Sequence, residues 1–394
     1  MTNSEKMIKI GIIGVGSIGS AHARALCAGM VKHAVLTAVC DIRAVRREKA
    51  AQRYPGVTVY ATAEELIAES GVDAVIIATP HYEHPRLAIM AFEAGLHVLS
   101  EKPMAVYCLA AREMLAAAEK SGKNFAVMFN QRNDKLFALA HDLVQSGALG
   151  ELKRSVWIIT NWYRKQAYYN SSTWRATWSG EGGGVLLNQA PHNLDLWQWI
   201  CGMPSEIYAE CDVAKYHTIE VEDDATIMVR YPNGARGVFI ASTGEFPGTN
   251  RLEIVGTRGK IVVENGKLTH TALPMDEREF VQTPELEDMT PVVTVFDDED
   301  YNGHIMIIEN FVNAILNGTP LLSPGAEAIN ELTISNAAYL SAWTGERVTL
   351  PMDDERYFAL LQERIAISKR ADTDEEDCKS SADDEYKAKW NTKW

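Results

Sequence analysis

One short segment combines the residue types that proton transfer needs. Three glycines at 182–184 lead into Asn188, His192 and Asp195, which are spaced four and three residues apart. The pattern predicts a helix over 188–201, on which these spacings place the three polar side chains near one face. An imidazole between an amide and a carboxylate can exchange a proton with a bound hydroxyl. The segment is equally typical of a buried helix whose His192 and Asp195 hydrogen-bond to each other.

The pattern of predicted strands and helices that must position this segment differs between the first and second halves of the chain. From Ile8 to Phe129, apolar strand patterns alternate with helical patterns, and the strand at 74–78 is a nearly continuous apolar run. Such alternation predicts a doubly wound parallel sheet of the Rossmann type, covered on both faces by helices. After about Gly150, consecutive strands follow one another through short turns, such as Pro-Asn-Gly at 232–234. The fold class is therefore α/β, with a second α/β domain whose open sheet is mostly antiparallel.

This change divides the chain of 394 residues into three predicted parts. A dinucleotide-binding domain spans 1–131, a substrate-binding and oligomerisation domain spans 132–370, and an acidic tail spans 371–394. Two helical patterns, 304–316 and 326–343, either pack back on the first domain or cap the second. The tail is expected to be flexible or lightly docked, with docking of its tryptophans on a neighbouring subunit as the alternative.

Composition and charge exclude several classes of partner. The formal net charge of −15 disfavours nucleic acid and anionic membrane surfaces as main partners. No apolar run approaches the length that spans a membrane, and the polar N-terminus lacks the apolar core of a signal peptide. The six cysteines are scattered without metal-ligand spacing, which indicates free thiols and no metal site. We expect a cytoplasmic protein.

A glycine-rich turn follows the first strand directly and opens a helical pattern. Its sequence is Gly14-Val15-Gly16-Ser17-Ile18-Gly19, the spacing that lets a pyrophosphate approach the main chain at a helix N-terminus. Asp41 ends the second strand, where a carboxylate accepts hydrogen bonds from the adenosine ribose. This acid favours NAD, because a 2′-phosphate would meet a like charge. Arg43, Arg46 and Arg47 follow at once, so use of NADP stays open.

A second motif, Glu-Lys-Pro at 101–103, directly follows another strand of the parallel sheet. Ligands of such sheets bind at the carboxyl ends of the strands, so Lys102 is expected to point into the cofactor crevice. Pro103 favours a restrained turn, with a cis peptide bond as one form. The remaining predicted cofactor contacts are Thr79, Pro80, His81, His84, Glu101, Lys102 and Gln131.

The three motifs, in this order and spacing, resemble the Gfo/Idh/MocA family of oxidoreductases over roughly residues 7–350. The resemblance implies nicotinamide-dependent oxidation or reduction of a sugar, polyol or sugar derivative, and a dimer or tetramer formed through the C-terminal sheet. It also implies that Lys102 contacts the reacting hydroxyl and the nicotinamide ribose. By the same resemblance, His192 exchanges the substrate proton, and Asp195 binds substrate or orients His192.

Position 188 departs from the pattern of the family members that are similar to inositol dehydrogenases. Those members carry an aspartate four residues before the catalytic histidine, whereas this chain has Asn188. An amide takes up no proton, but it donates and accepts hydrogen bonds with a sugar hydroxyl. The substitution leaves Lys102 and His192 as the predicted catalytic pair.

An aromatic segment, residues 157–178, holds four of the nine tryptophans. Aromatic faces stack on sugar rings while arginine and tyrosine bind hydroxyls, so a substrate lid or subsite is one interpretation. An oligomer interface, which favours the same residue types, is the other. The segment contains Trp157, Trp162, Tyr163, Arg164, Tyr168, Tyr169, Trp174, Arg175 and Trp178.

The sequence thus predicts an NAD-dependent enzyme that transfers a hydride to or from a secondary hydroxyl of a sugar or glycoside, with C3 of a glucoside as the first expectation. Alternatives are a redox-neutral enzyme with tightly bound NAD, an inositol or polyol dehydrogenase, and a dinucleotide-sensing scaffold without activity. The predicted substrate-binding residues are Lys102, Tyr163, Arg164, Trp174, Arg175, Asn188, His192 and Asp195.

Overall fold

A six-stranded parallel sheet forms the first half of the computed structural model, which describes residues 6–284, 289–298 and 302–369. The strand order is β3-β2-β1-β4-β5-β6, and the order reverses between β1 and β4. The strands are β1 Ile8–Ile13, β2 Ala34–Cys40, β3 Thr58–Tyr60, β4 Ala74–Ile77, β5 His97–Ser100 and β6 Phe125–Val127. The helices are α1 Ser17–Cys27, α2 Ala44–Arg53, α3 Ala63–Glu69, α4 Glu83–Glu93 and α5 Cys108–Ser121. The predicted doubly wound parallel sheet is confirmed.

A nine-stranded sheet forms the second half, in the order β14-β13-β12-β11-β7-β10-β9-β8-β15. Among its pairs only β7 and β10 run parallel, so the predicted, mostly antiparallel sheet is also confirmed. Its strands are β7 Leu152–Ile159, β8 Glu206–Val213, β9 Glu222–Arg230, β10 Arg236–Ser242, β11 Asn250–Gly256, β12 Gly259–Glu264, β13 Lys267–Ala272, β14 Val292–Asp297 and β15 Val348–Thr349.

The later helices follow the first sheet along the chain. They are α6 Lys135–Gln145, α7 Gln166–Tyr169, α8 Pro191–Cys201, α9 Glu277–Phe280, α10 Gly303–Asn317, α11 Gly325–Thr344 and α12 Asp354–Ile367. Of the two helices whose place the sequence leaves open, α10 packs back into the core of the first sheet through side chains such as Phe311. The other, α11, contacts α5 of the first half and both β8 and α8 of the second. The predicted tail 371–394 lies outside the described residues.

The single helix expected over 188–201 is wrong, because the chain breaks there into two elements. A π-helical turn, Val185–Gln189, precedes α8, which begins at Pro191. Proline has no N–H to continue the preceding turn but is well suited to the first position of a new helix. The π-helical turn is held by the carboxylate of Glu222, which accepts hydrogen bonds from the N–H groups of Gly184 and Leu186, both at 2.9 Å.

A buried ion pair joins the end of the first half to α8. Arg132 lies in a short 3₁₀ turn, Asn130–Asn133, after β6. Its Nε donates to Oδ2 of Asp195 at 2.8 Å, and its Nη2 donates to Oδ1 at 2.7 Å. Both side chains are almost fully buried. Such a pair orients the two elements, and removal of one partner leaves the other charge buried without compensation.

Arg132→Met is therefore expected to lower the free energy of unfolding by about 3–5 kcal/mol, measured by urea denaturation. The double variant Arg132→Met/Asp195→Leu is the matched control. It removes both charges and should lose less stability than the single variant. A single variant within about 0.5 kcal/mol of the wild type would contradict this role for the pair.

Candidate active site

The cofactor crevice lies at the carboxyl ends of β1 and β4, where the main chain approaches itself too closely for side chains. Gly14 has a φ of 91°, and a Cβ there would lie 2.6 Å from the carbonyl oxygen of Ala78. A Cβ at Gly19 would lie 1.9 Å from the carbonyl oxygen of Gly14. At Gly16 the nearest atom to such a Cβ is Nη1 of Arg46, at 3.4 Å. The turn therefore presents bare main chain and the N-terminus of α1, as a pyrophosphate requires.

Asp41 is fixed at the rim of this crevice by main-chain donors. Its Oδ2 accepts from the N–H of Val15 at 3.0 Å, and its Oδ1 accepts from the N–H of Arg43 at 2.9 Å. Arg47 donates to the carbonyl oxygens of Asp41 and Ile42, both at 2.9 Å. The carboxylate thus stands beside the glycine turn, where it can accept from a ribose.

The strand-end residues after β4 divide into two groups. The hydroxyl oxygen of Thr79 is buried without a hydrogen-bond partner among the described residues, so it remains available to a ligand beside Pro80. His84 differs, because its two ring nitrogens lie 2.8 Å from the carbonyl oxygens of Thr79 and Pro103. It ties two loops together, and this geometry does not fit the predicted cofactor contact. The last predicted contact, Gln131, lies in the 3₁₀ turn after β6.

Lys102 reaches across to the second half of the molecule. Its bond to Pro103 is cis, and its Nζ donates to the carbonyl oxygen of Asn188 at 2.7 Å. Burial lowers the pKa of Lys102. The preceding Glu101 lies 2.7 Å from Nε2 of His22. Burial alone would raise the pKa of Glu101, but the opposing effect of His22 holds it at about 2.

His192, at the start of α8, has a ring nitrogen to offer a ligand. Its Nδ1 is buried without a hydrogen-bond partner among the described residues, and its ring packs edge-on against Phe129 at 6.0 Å between centroids. Burial, followed by the charge of Lys102, holds the pKa of His192 well below its ordinary value. The imidazole is therefore neutral at physiological pH and can accept a hydrogen bond.

Asn188 connects three polar side chains of the site. Its amide nitrogen donates to Oε1 of Glu181 and, at 3.2 Å, to the hydroxyl of Tyr168. Glu181 is buried, and burial raises its pKa to about 7. Sequence reasoning missed Glu181, since nothing but its place directly before the glycines distinguishes it. His81 lines the same region, with Nδ1 2.9 Å from the carbonyl oxygen of Glu181.

Asp195 does not face the site. Both its oxygens accept from Arg132, and Oδ1 also accepts from Gln198 at 3.2 Å. The side chain is fully buried. The expectation that Asp195 binds substrate or orients His192 does not fit this geometry, and neither does the alternative that His192 and Asp195 satisfy each other. The reason is the guanidinium of Arg132, which is brought in from the first half and occupies both oxygens of Asp195.

The aromatic segment also divides into two groups. Trp157, Trp162, Tyr169 and Trp178 are buried core residues, which neither interpretation of this segment anticipated. The residues that remain partly exposed are Tyr163, Arg164, Tyr168, Trp174 and Arg175. Among these, the guanidinium of Arg175 lies 4.8 Å from the ring centroid of Trp174, which in turn packs edge-on against His81 at 5.7 Å. Within this second group, Tyr168 contacts Asn188 and Arg175 contacts Tyr168, so the group offers stacking faces and donors near Asn188.

Among the residues that the structure describes, no cluster of His, Cys, Asp and Glu side chains has the arrangement of a metal site. Within the same residues, no helix is long and apolar enough to cross a membrane.

Comparisons with known proteins agree with the geometry. The oxidoreductase family model with an NAD-binding Rossmann fold matches residues 8–129, and the GFO/IDH/MocA C-terminal domain matches residues 137–262. The chain is 27% identical to a myo-inositol 2-dehydrogenase of Thermotoga maritima, over 84% of this chain and 95% of that protein. It is 28% identical to a D-glucoside 3-dehydrogenase of Escherichia coli, over 89% and 99%.

A solved structure shows the same fold. The WlbA dehydrogenase of Bordetella pertussis, in complex with NADH and UDP-GlcNAcA, superimposes with a TM-score of 0.75 at 26% identity, over 88% of this chain and 100% of that one. With both domain models matched in order and the glycine turn built as a dinucleotide site, the chain belongs to the Gfo/Idh/MocA family of NAD-binding oxidoreductases.

Proposed function

We propose that this enzyme oxidises a secondary hydroxyl of a sugar or glycoside, with Lys102 and His192 acting on the reacting oxygen. The observation that carries the proposal is the meeting of two distant segments. Lys102 lies at the carboxyl end of β5, and its Nζ contacts the residue four positions before His192. The ammonium and a neutral imidazole with an unpartnered nitrogen thus border the same crevice.

The two side chains suit opposite parts of the reaction. The Nζ of Lys102 is a donor that stabilises negative charge developing on the substrate oxygen, and burial strengthens this effect. To bind the substrate oxygen, the Nζ of Lys102 gives up its hydrogen bond to the carbonyl oxygen of Asn188. The neutral ring of His192 accepts a hydrogen bond from the same hydroxyl and exchanges its proton.

NAD, when bound, supplies the acceptor or donor of the hydride. The residues that would hold it border the crevice already described, and the unpartnered hydroxyl of Thr79 fits a ligand there. They are Gly14, Gly16, Ser17, Ile18, Gly19, Asp41, Arg43, Thr79, Pro80 and Lys102.

The partly exposed aromatic group favours a substrate larger than a single small polyol. Arg175 donates to Tyr168, which contacts Asn188, and the guanidinium of Arg175 lies against the ring of Trp174. These rings and donors suit a glycoside with its sugar ring at the hydroxyl-binding pair. Similarity to a D-glucoside 3-dehydrogenase over 89% of the chain supports C3 of a glucoside as the position oxidised.

An exposed strand supports self-association. All residues of β14 are exposed, among them Val292, Val293 and Val295. Apolar side chains on an exposed edge strand invite pairing with another chain. We propose that the nine-stranded sheet forms a homo-oligomer through this region.

The oligomer is tested by light scattering after size-exclusion chromatography. Wild-type enzyme is expected at a dimer or larger, and Val293→Lys/Val295→Lys should shift it toward the monomer because like charges then oppose pairing. A monomeric wild type would contradict the interface.

The catalytic pair is tested by replacing His192 with alanine. Loss of proton exchange is expected to lower kcat on the order of 10²-fold or more, followed as NADH formed with a panel of glucosides. His141→Ala is the matched control. That histidine is partly exposed on α6, where it lies beside Asp142 and stacks on Trp199, and its loss should leave turnover unchanged. Near-normal turnover by the His192 variant would remove it from the mechanism.

Cofactor preference is tested by Asp41→Asn. The amide oxygen still accepts from the N–H of Val15, but the negative charge that opposes a 2′-phosphate is gone. The ratio of kcat/KM with NAD to kcat/KM with NADP should fall roughly tenfold or more. Arg53→Gln serves as the control, because Arg53 is exposed at the far end of α2. An unchanged ratio for Asp41→Asn would show that Asp41 does not select the cofactor.

A further inference from the structure

Several donors of the site converge on one atom, the phenol oxygen of Tyr168. Nη1 of Arg175 donates to it at 2.8 Å, Nδ2 of Asn188 at 3.2 Å, and Nε2 of Gln189 at 3.5 Å. The first two bonds fall within the usual distance range and occupy both lone pairs of a neutral hydroxyl, and the third lies at the limit of hydrogen-bond distance. The sequence places Tyr168 in the aromatic segment but does not distinguish it from its neighbours.

The hydrogen of this hydroxyl is not used by the protein. Tyr168 is partly exposed, and its O–H donates to no group among the described residues. A hydroxyl whose lone pairs are occupied and whose proton is uncommitted is arranged to give that proton to a ligand. After loss of the proton, the same donors stabilise the phenolate.

The charges around Tyr168 favour the phenolate as well. The guanidinium carbon of Arg175 lies 4.6 Å from the ring centroid, and that of Arg164 lies 5.0 Å from it. Burial raises the pKa of Tyr168, but the two guanidinium groups outweigh burial and hold it below its ordinary value. The charged and titratable groups that face Tyr168 are Lys102, Arg164, Tyr169, Arg175 and Glu181.

Asn188 places this hydroxyl beside Lys102. The carbonyl oxygen of Asn188 accepts from Lys102, while its amide nitrogen donates to Tyr168. One residue therefore separates the ammonium that binds the substrate oxygen from the phenol oxygen. A substrate oxygen that displaces the Asn188 carbonyl from Lys102 comes to the neighbourhood of Tyr168.

We propose that Tyr168 is a further catalytic residue, which exchanges a proton with the substrate oxygen bound by Lys102. In oxidation, the C–H bond of the carbinol carbon would break, the nicotinamide that the crevice would hold would accept the hydride, and the C=O bond would form, while the O–H proton moves to the phenolate oxygen of Tyr168. In reduction, the phenol returns that proton. The step rests on the proposed function and gives the O–H proton to Tyr168 in place of His192. The neutral ring of His192 then holds the substrate oxygen through its own N–H.

The same arrangement explains the amide at position 188. Asn188 gives one N–H to Tyr168 and another to Glu181. An aspartate there would withdraw both donors and place a negative charge beside Glu181 and the phenolate. The amide therefore suits a site in which the anionic oxygen is that of Tyr168.

The ionisation of Tyr168 is measured without turnover, by the ultraviolet absorbance of tyrosinate during a pH titration of the whole enzyme. The difference between wild type and Tyr168→Phe isolates one of the 14 tyrosines. It should show a group that ionises below the ordinary tyrosine value of about 10. Tyr169→Phe is the matched control. The hydroxyl of Tyr169 donates to Thr243 and burial raises its pKa, so this variant should keep the early ionisation.

Kinetics then test the proton exchange. Because oxidation needs the phenolate, kcat should fall as pH drops through the pKa of Tyr168, and in reduction kcat should fall as pH rises through it. Tyr168→Phe should lose both limbs of the profile and lower kcat on the order of 10²-fold. Asn188→Asp should move the limbs to higher pH, since it removes a donor and adds a negative charge.

Three results would overturn the proposal. If the pKa of Tyr168 is at or above the ordinary tyrosine value, the phenolate is ruled out, whatever the activity of the enzyme. A Tyr168→Phe variant with the pH profile and kcat of the wild type removes the proton exchange while leaving the dehydrogenase itself intact. If Tyr168 ionises below the ordinary value but the wild-type enzyme turns over no sugar, the proposed function is rejected, and the proton step is rejected with it.

Discussion

The close packing of the glycines at 182–184 is the constraint on which the site depends. A Cβ on Gly182 would lie 2.2 Å from Val106 of the first half, and one on Gly184 would lie 1.9 Å from the carbonyl oxygen of Glu222 in β9. A Cβ on Gly183 would lie 2.3 Å from the hydroxyl of Tyr339 in α11. The main chain of these glycines therefore packs directly against three other parts of the molecule. This close packing brings the carbonyl oxygen of Asn188 within reach of Lys102.

Buried carboxylate side chains with hydrogen-bond partners lie around the glycine segment 182–184. Glu222 accepts from two N–H groups of the π-helical turn and from the hydroxyl of Tyr339 at 2.7 Å. Glu181 and Asn188 satisfy each other on the substrate side, and Glu101 is paired with His22 below it. Since buried polar groups are costly unless paired, these contacts leave few groups without partners. Among the described residues that border the crevice, Oγ1 of Thr79 and Nδ1 of His192 have no hydrogen-bond partner, and these atoms can bind a ligand.

The regular elements were predictable because burial imposes a simple period. The sequence pattern predicts strands over 97–100, 206–213 and 236–242 and helices over 44–53 and 63–69, because the apolar patterns stop at turn residues. Strands β5, β8 and β10 and helices α2 and α3 have these bounds. Strand β14 was not predicted, because it is exposed on both faces and shows no alternation. Strand β15 has two residues and exists through its pairing with β8. Helix α6 was missed although Asp134 caps it, accepting from the N–H of Leu136 at 2.9 Å.

The sequence by itself determined the cofactor turn, the acid at Asp41, and the two segments that carry Lys102 and His192, because these depend on local spacing after a strand or before a helix. Only the tertiary structure decided which polar groups meet. It paired Asp195 with Arg132, 63 positions away, and placed Asn188 between Lys102 and Tyr168. The physical reason is that a buried polar side chain must find a partner in space. That partner can lie at any distance along the chain, so no periodic pattern in the sequence identifies it.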